Sequence, residues 1–329
     1  MFDHNRSTPV PVTILTGFLG AGKTTLLNRI LSEEHGHRIA VIENEFGEAG
    51  IDNDLLIQGK EQIVEMNNGC ICCTVRGDLV RILGELAEKR DQGLLHFERV
   101  IIETTGLADP APVAQTFFVE EEINAYYLLD AIITVVDAKH ALKQLDDNHE
   151  AEEQVGFADR LLISKTDLIT PTEVIELETR LRAINARAPI AQVHFGKTDI
   201  SEILDIRGFN LNAILDIEPD FLDDVSHEHD AGISSFVYRT DKPLDAVKYM
   251  AFMDIMMRKY GNDLLRYKGI IHIAGCEKKL ICQGVHMLMT EDLGTAWPKN
   301  EARESVLVFI GRNLPKQEIH DALDSCRII

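Results

Sequence analysis

Apolar runs alternate with polar, glycine-rich breaks through the first two hundred positions of the chain. Val12 to Leu15, Arg38 to Ile42, Ile63 to Met66, Arg99 to Glu103, Ala131 to Asp137, Arg160 to Ser164 and Ile190 to Val193 are short and mostly apolar. That is the signature of strands buried on both faces. Between them the period changes. Leu26 to Leu31, the set Leu79, Ile82, Leu83 and Leu86, and Glu173 to Ala186 space their apolar residues as a helix does. Strands alternating with helices predict an α/β domain, a mostly parallel sheet with helices on both faces.

The pattern changes near Arg207. Leu211 to Asp230 is acidic and irregular, with Pro219 and the string His227-Glu228-His229-Asp230, and reads as a connector. From Gly232 the expected order is strand (Ile233 to Tyr238), helix (Asp245 to Lys259), strand (Lys268 to Ile273), strand (Leu280 to Leu288), strand (Val306 to Ile310) and helix (Lys316 to Cys326). Consecutive strands point to a smaller α+β domain. The division expected is 1–206, a linker over 207–231, and 232–329. No internal repeat or low-complexity tract interrupts it.

Composition narrows the function. With 329 residues, 45% of them hydrophobic and 26% charged, the chain can fill two cores. Its 33 basic and 54 acidic residues give a formal charge of −21, which argues against nucleic acid or an anionic membrane as main partner. No apolar run approaches a bilayer span, and Met1 to Arg6 is polar, so a cytoplasmic location is expected. Thiols stay reduced there, which makes the six cysteines candidates for metal or reactivity.

The chemistry begins at Thr16 to Thr25. Gly17, Gly20, Ala21, Gly22, Lys23, Thr24 and Thr25 lie between a strand and a helix in the phosphate-loop pattern. Glycines let main-chain N–H groups close around phosphate oxygens, and the positive end of the following helix adds to the field. Lys23 is expected to reach the β- and γ-phosphates and Thr24 to coordinate Mg²⁺. Glu103, at the end of an apolar strand with Gly106 three residues on, is the candidate for the second acidic group of that magnesium site.

Ser164-Lys165-Thr166-Asp167 follows another apolar strand. A carboxylate at Asp167 accepts from guanine N1–H and the exocyclic amine, and adenine would leave it unpaired. Lys165 and Asp167 fit a guanine-reading tetrad; Ser164 stands where Asn is usual. Cys70, Cys72 and Cys73 supply three thiols after Gly69. They can converge only on a turn, and three thiolates suit Zn²⁺ or another borderline cation with one position left over. Glu43, Glu45 and Glu48 are candidates for that position. Strand-end loops share one rim in an open α/β sheet, which would make metal and nucleotide neighbours. A structural zinc site and a reversible thiol pair are the other readings of these cysteines. His227 and His229 read first as solvated linker residues, His194 as a residue close to the base, and Cys276, Cys282 and Cys326 as packed.

These motifs together resemble the CobW-like metallochaperone GTPases, relatives of the urease and hydrogenase nickel-insertion GTPases, and within them the YjiA-type branch. The resemblance rests on Gly17 to Thr25, Glu43 to Glu48, Gly69 to Cys73, Glu103 to Pro110 and Ser164 to Asp167, and in the second half on His227 to Phe236, Leu265 to Gly269 and Val308 to Leu314. It implies GTP hydrolysis to GDP and phosphate, binding of Zn²⁺, Co²⁺ or Ni²⁺ near the cysteines, and delivery of that metal to a client metalloprotein. It also places Asp52 in a first switch segment, beside Mg²⁺ or the attacking water. A nucleotide- or metal-dependent oligomer is compatible with it. No arginine finger or general base stands out, so slow intrinsic turnover is expected. The rival classes are an ATP-dependent kinase or ATPase with a structural zinc, and a thiol redox sensor.

Overall fold

The computed structural model describes residues 9–33, 36–44, 62–66, 73–208, 233–298 and 302–328, with side chains for these except at 44, 62–66, 73–76 and 201. The chain divides into two compact units, Met1–Arg180 with Ala188–Phe209, and Leu181–Arg187 with Asn210–Ile329. Among the described residues no helix is long and apolar enough to cross a membrane.

In the first unit seven strands form one sheet in the order β3-β2-β4-β1-β5-β6-β7: β1 Val10–Thr16, β2 Ile39–Asn44, β3 Gln62–Met66, β4 Arg99–Glu103, β5 Tyr127–Asp137, β6 Arg160–Ser164 and β7 Ile190–Val193. Every pairing is parallel. All seven coincide with the apolar runs read above. Alternate residues of β1 face opposite sides of the sheet, yet Val12, Ile14 and Leu15 are all buried. Leu26, Leu27, Ile30 and Leu31 of α1 (Lys23–Ser32) pack on Leu15, Val41, Ile101 and Ile133. Helices α2 (Cys73–Asp91), α3 (Ala111–Val119), α4 (Glu121–Tyr126) and α6 (His149–Phe157) pack beside β5 or one another, and Tyr127 Oη donates to the Leu83 carbonyl of α2. Helices α5 (Ala141–Asp147) and α7 (Pro171–Ile184) are also described, the last four residues of α7 falling in the second unit.

The second unit is a five-stranded antiparallel sheet, β11-β10-β9-β12-β8. Its strands are β8 Ile233–Thr240, β9 Leu264–Ile271, β10 Lys278–Val285, β11 Leu288–Ala296 and β12 Ser305–Arg312. Helices α8 (Ala246–Tyr260) and α9 (Lys316–Ser325) bury Tyr249, Phe252, Met253, Met256, Ile319 and Leu323 with Phe236, Tyr267, Leu307 and Phe309 of the sheet. One expectation fails here. Leu280 to Leu288 is not one strand but the start of a hairpin whose second arm, β11, the sequence pattern did not announce. The turn carries neither glycine nor asparagine at its left-handed position; His286 takes φ 53° instead. Leu264, Leu265, Ile270 and Ile271 are core residues.

A rim of strand ends as candidate nucleotide site

The phosphate loop leaves the middle strand of the sheet. Gly17, Gly20 and Gly22 have φ of 140°, 74° and 100°, so three of its positions need a left-handed backbone. Gly17 is constrained twice, because a Cβ there would lie 2.2 Å from the Val135 carbonyl oxygen of β5. The loop turns through Ala21 N–H to Phe18 O, and Gly22 caps α1, whose Leu26 N–H returns to its carbonyl. Lys23 is buried, with its ammonium donating to the Gly17 carbonyl at 2.9 Å. Thr24 Oγ1 stands 3.2 Å from Glu103 Oε1. A hydroxyl and a carboxylate this close, both hard oxygen donors, fit Mg²⁺.

The register of the sheet explains that meeting. Leu15 pairs with Glu103, Glu103 with Glu43, and Glu43 with Glu65, so four strand ends stand in one row. Neighbouring strands run about 5 Å apart, which puts Glu43 within one strand spacing of Glu103. Beyond β3, Cys73 opens α2. Of the other candidates, Glu45, Glu48, Asp52, Cys70, Cys72, His227 and His229 lie outside the described residues. Among the described residues no group of three or more His, Cys, Asp or Glu side chains is arranged to hold a metal ion.

After Glu103 the chain runs irregularly to α3, pressed on the phosphate loop. Thr104 N–H donates to Leu15 O and its hydroxyl to Thr16 Oγ1, while Gly106 leaves no space for a side chain beside Leu19 N. From the other side β6 reaches the same loop. Ser164 Oγ donates to Ala21 O at 2.6 Å, so this serine, where Asn is usual, ties the tetrad to the phosphate loop through its hydroxyl. Lys165, at φ 56°, donates to Gly20 O and to Asp137 Oδ2, at 2.6 and 2.8 Å. Asp167 follows in a single 3-10 turn, and His194 Nδ1 stands 3.7 Å from its Oδ1.

Asp137 was not singled out by sequence, although it ends the longest apolar run. Its carboxylate accepts from Lys165, from His140 Nδ1 and from the Lys139 N–H. Burial opposes its charge, but the hydrogen bonds from Lys165 and His140 outweigh that and hold the carboxyl below the ordinary aspartate range. Gln154 of α6, also unannounced, is buried and donates to the carbonyls of Gly106 and Ala108. Away from the rim, burial pushes the Cys282 thiol up to about 12, the state of a packed and unreactive cysteine.

Comparison with known proteins agrees with this geometry. Residues 11–192 match the family model for the CobW/HypB/UreG nucleotide-binding domain, and residues 233–327 that for the cobalamin synthesis protein cobW C-terminal domain. The chain is 43% identical to the zinc chaperone YjiA of Escherichia coli (strain K12), over 97% of this chain and 99% of that relative. It is 34% identical to the zinc chaperone CobW of Pseudomonas aeruginosa, over 95% and 90%. The crystal structure of the Zn(II)-bound YjiA GTPase from E. coli superposes with a TM-score of 0.79 at 38% identity, covering 98% of this chain and all of that one.

Proposed function

The chain belongs to the CobW/HypB/UreG family, and on that premise we propose that it is a metal-responsive GTPase that binds a transition metal and hydrolyses GTP to deliver it to a client protein. Zinc is the first choice of metal, with cobalt and nickel behind it, because the similar proteins from E. coli and P. aeruginosa are zinc chaperones. The observation that carries the reading is the row of strand ends in which Glu43 stands beside Glu103. A carboxylate of the metal set and a carboxylate of the nucleotide set share one edge, so ligands on either side act on a common backbone.

In this reading Gly17 to Thr25 cradles the phosphates, with Lys23 on the β- and γ-phosphates. Thr24 and Glu103 hold Mg²⁺, with Asp52 helping to position Mg²⁺ or the attacking water. Bound there, Mg²⁺ supplies positive charge against the charge that develops on the transferred phosphoryl group. Asp167 reads the guanine edge, and Lys165, fixed between Gly20 and Asp137, flanks the base. Glu43, Glu48, Cys70, Cys72 and Cys73 take the cargo metal. Residues 1–206 carry this chemistry, 207–231 link, and 232–329 form the C-terminal α+β domain. GTP orders the segment from Glu43 to Asp52 and hydrolysis releases it. Since that segment also offers metal ligands, nucleotide and metal change each other's affinity by the same factor. Intrinsic turnover is slow and is raised by metal or client.

The test is steady-state hydrolysis of GTP and ATP with and without Zn²⁺, Co²⁺ and Ni²⁺. Expected are turnover of GTP over ATP, a change of rate with metal, no turnover in Lys23→Ala, and no metal effect in Cys72→Ser with Cys73→Ser. Preferred ATP turnover would favour the kinase or ATPase class. A GTPase rate indifferent to all three metals would remove the metal-responsive part of the reading.

A further inference from the structure

We propose that Gln154 is a positioning residue of the hydrolytic site: its side-chain amide sets the path of the Glu103–Asp109 segment and thereby the placement of Glu103 against Thr24. The inference rests on the GTPase reading above.

Gln154 lies near the end of α6 with 1% of its surface exposed. A buried primary amide is costly unless its donors are used. Here Nε2 donates to Gly106 O at 3.2 Å and to Ala108 O at 3.1 Å. Both acceptors lie on backbone that belongs to no strand or helix, where carbonyls have no ladder partner of their own. The amide takes that role across some fifty residues of sequence.

The segment is therefore held at two points. Its start is fixed to β1 through Thr104, by the N–H to Leu15 O and the hydroxyl to Thr16. Its middle is fixed by Gln154. Gln154 is itself anchored, since its main-chain carbonyl accepts from Thr134 Oγ1 of β5 at 2.6 Å. At the second of these points Gly106 touches the phosphate loop with no slack, a Cβ there falling 2.6 Å from Leu19 N. Any drift of Gly106 is passed to Leu19 on one side and to Glu103, three residues back, on the other. A neutral donor suits the position: carbonyls only accept, and a carboxylate would repel both.

The experiment compares Gln154→Leu, Gln154→Glu and Tyr127→Phe in the full chain, by steady-state GTP hydrolysis and by thermal melting. Gln154→Leu removes both donors at similar volume and is expected to lower kcat by about tenfold or more with KM for GTP within about twofold, the mark of lost placement rather than lost binding. Gln154→Glu should lose at least as much. Tyr127→Phe removes a buried hydrogen bond to the Leu83 carbonyl at the end of β5 away from the rim, and should lower the melting temperature while keeping kcat. Wild-type kcat in Gln154→Leu would overturn the proposal, as would a kcat loss in Tyr127→Phe equal to that in Gln154→Leu at equal loss of melting temperature. A wild-type chain that turns over no GTP would instead remove the reading on which the proposal stands.

Discussion

Replacing Gly106 with alanine puts a methyl group where main chain already stands. The new Cβ would lie 2.6 Å from Leu19 N, 2.8 Å from Leu19 Cα and 2.9 Å from Leu19 Cδ2. Only the last of these can swing away; the first two are the backbone of the phosphate loop. Ordinary contact begins near 3.4 Å, so main chain has to yield by about 0.8 Å. Overpacking of this kind costs about 1–3 kcal/mol. The functional cost is larger than the structural one. If the Gly106 segment moves, Glu103 leaves Thr24; if the phosphate loop moves, Lys23 and Lys165 lose the carbonyls they hold. Misplacement of about 1 Å at a reacting site can cost roughly 10²-fold in rate. The expected variant is folded, melts earlier than wild type, and turns over GTP one to two orders of magnitude more slowly by the same argument. Gly84→Ala is the matching control: it sits inside α2 with nothing within 4 Å of its Cβ position, and should gain about 0.5–1 kcal/mol with GTP turnover unchanged. Urea melts and steady-state GTP hydrolysis of the two variants decide the matter. A Gly106→Ala protein with wild-type stability and kcat within twofold of wild type would refute the packing argument.

Three other outcomes are expected. The Asp137 carboxyl is held below its ordinary range, so its pairing stabilises the fold above that range and the benefit fades as pH falls through the folded value. Urea melts of Asp137→Asn against wild type should show a stability gap at pH 7 that narrows in strong acid; a gap of constant size would contradict the assignment. Glu291 is the opposite case, since burial raises its carboxyl and the nearby Tyr249 hydroxyl only partly opposes this. Its protonated form is the one the fold favours, so stability is lost as pH rises, and Glu291→Gln should be more stable than wild type at neutral pH with the advantage gone in acid. Asp245 caps α8 by accepting from the N–H groups of Val247 and Lys248, and Asp245→Ala should cost about 1 kcal/mol in urea unfolding.

What could be read along the chain was what is local. The seven parallel strands were legible because strands buried on both faces need continuous apolar runs, as Arg99–Glu103 and Tyr127–Asp137 show. The phosphate loop was legible because a left-handed backbone at Gly17, Gly20 and Gly22 restricts the residue type. Helices α3 to α6 were not. They span only six to nine residues each, and α3, Ala-Pro-Val-Ala-Gln-Thr-Phe-Phe-Val, is too uniformly apolar to show a face. The β10–β11 hairpin was hidden because a histidine holds the conformation that glycine or asparagine would have advertised. In the site, Lys23, Thr24, Glu103, Lys165 and Asp167 carried the marks of their motifs. Asp137 and Gln154 did not, because a salt bridge to Lys165 or an amide reaching Gly106 is a fact of tertiary placement, and no spacing encodes it.

The position of β1 has a consequence for how the chain is made. It is made before both strands that flank it: Val12 pairs with Val100 on one side and with Leu129 on the other. Until residues near Asp137 have been synthesised, the loop at Gly17 lacks the Val135 carbonyl behind it. Contacts of such long sequence separation form slowly and only after the loops between them are closed. The phosphate cradle is thus completed late in folding, although it is encoded ahead of the strands that flank it. A nucleotide that binds only the finished cradle adds its binding free energy to the folded state. Cellular GTP would then favour newly made chains that have completed the whole sheet over those arrested partway.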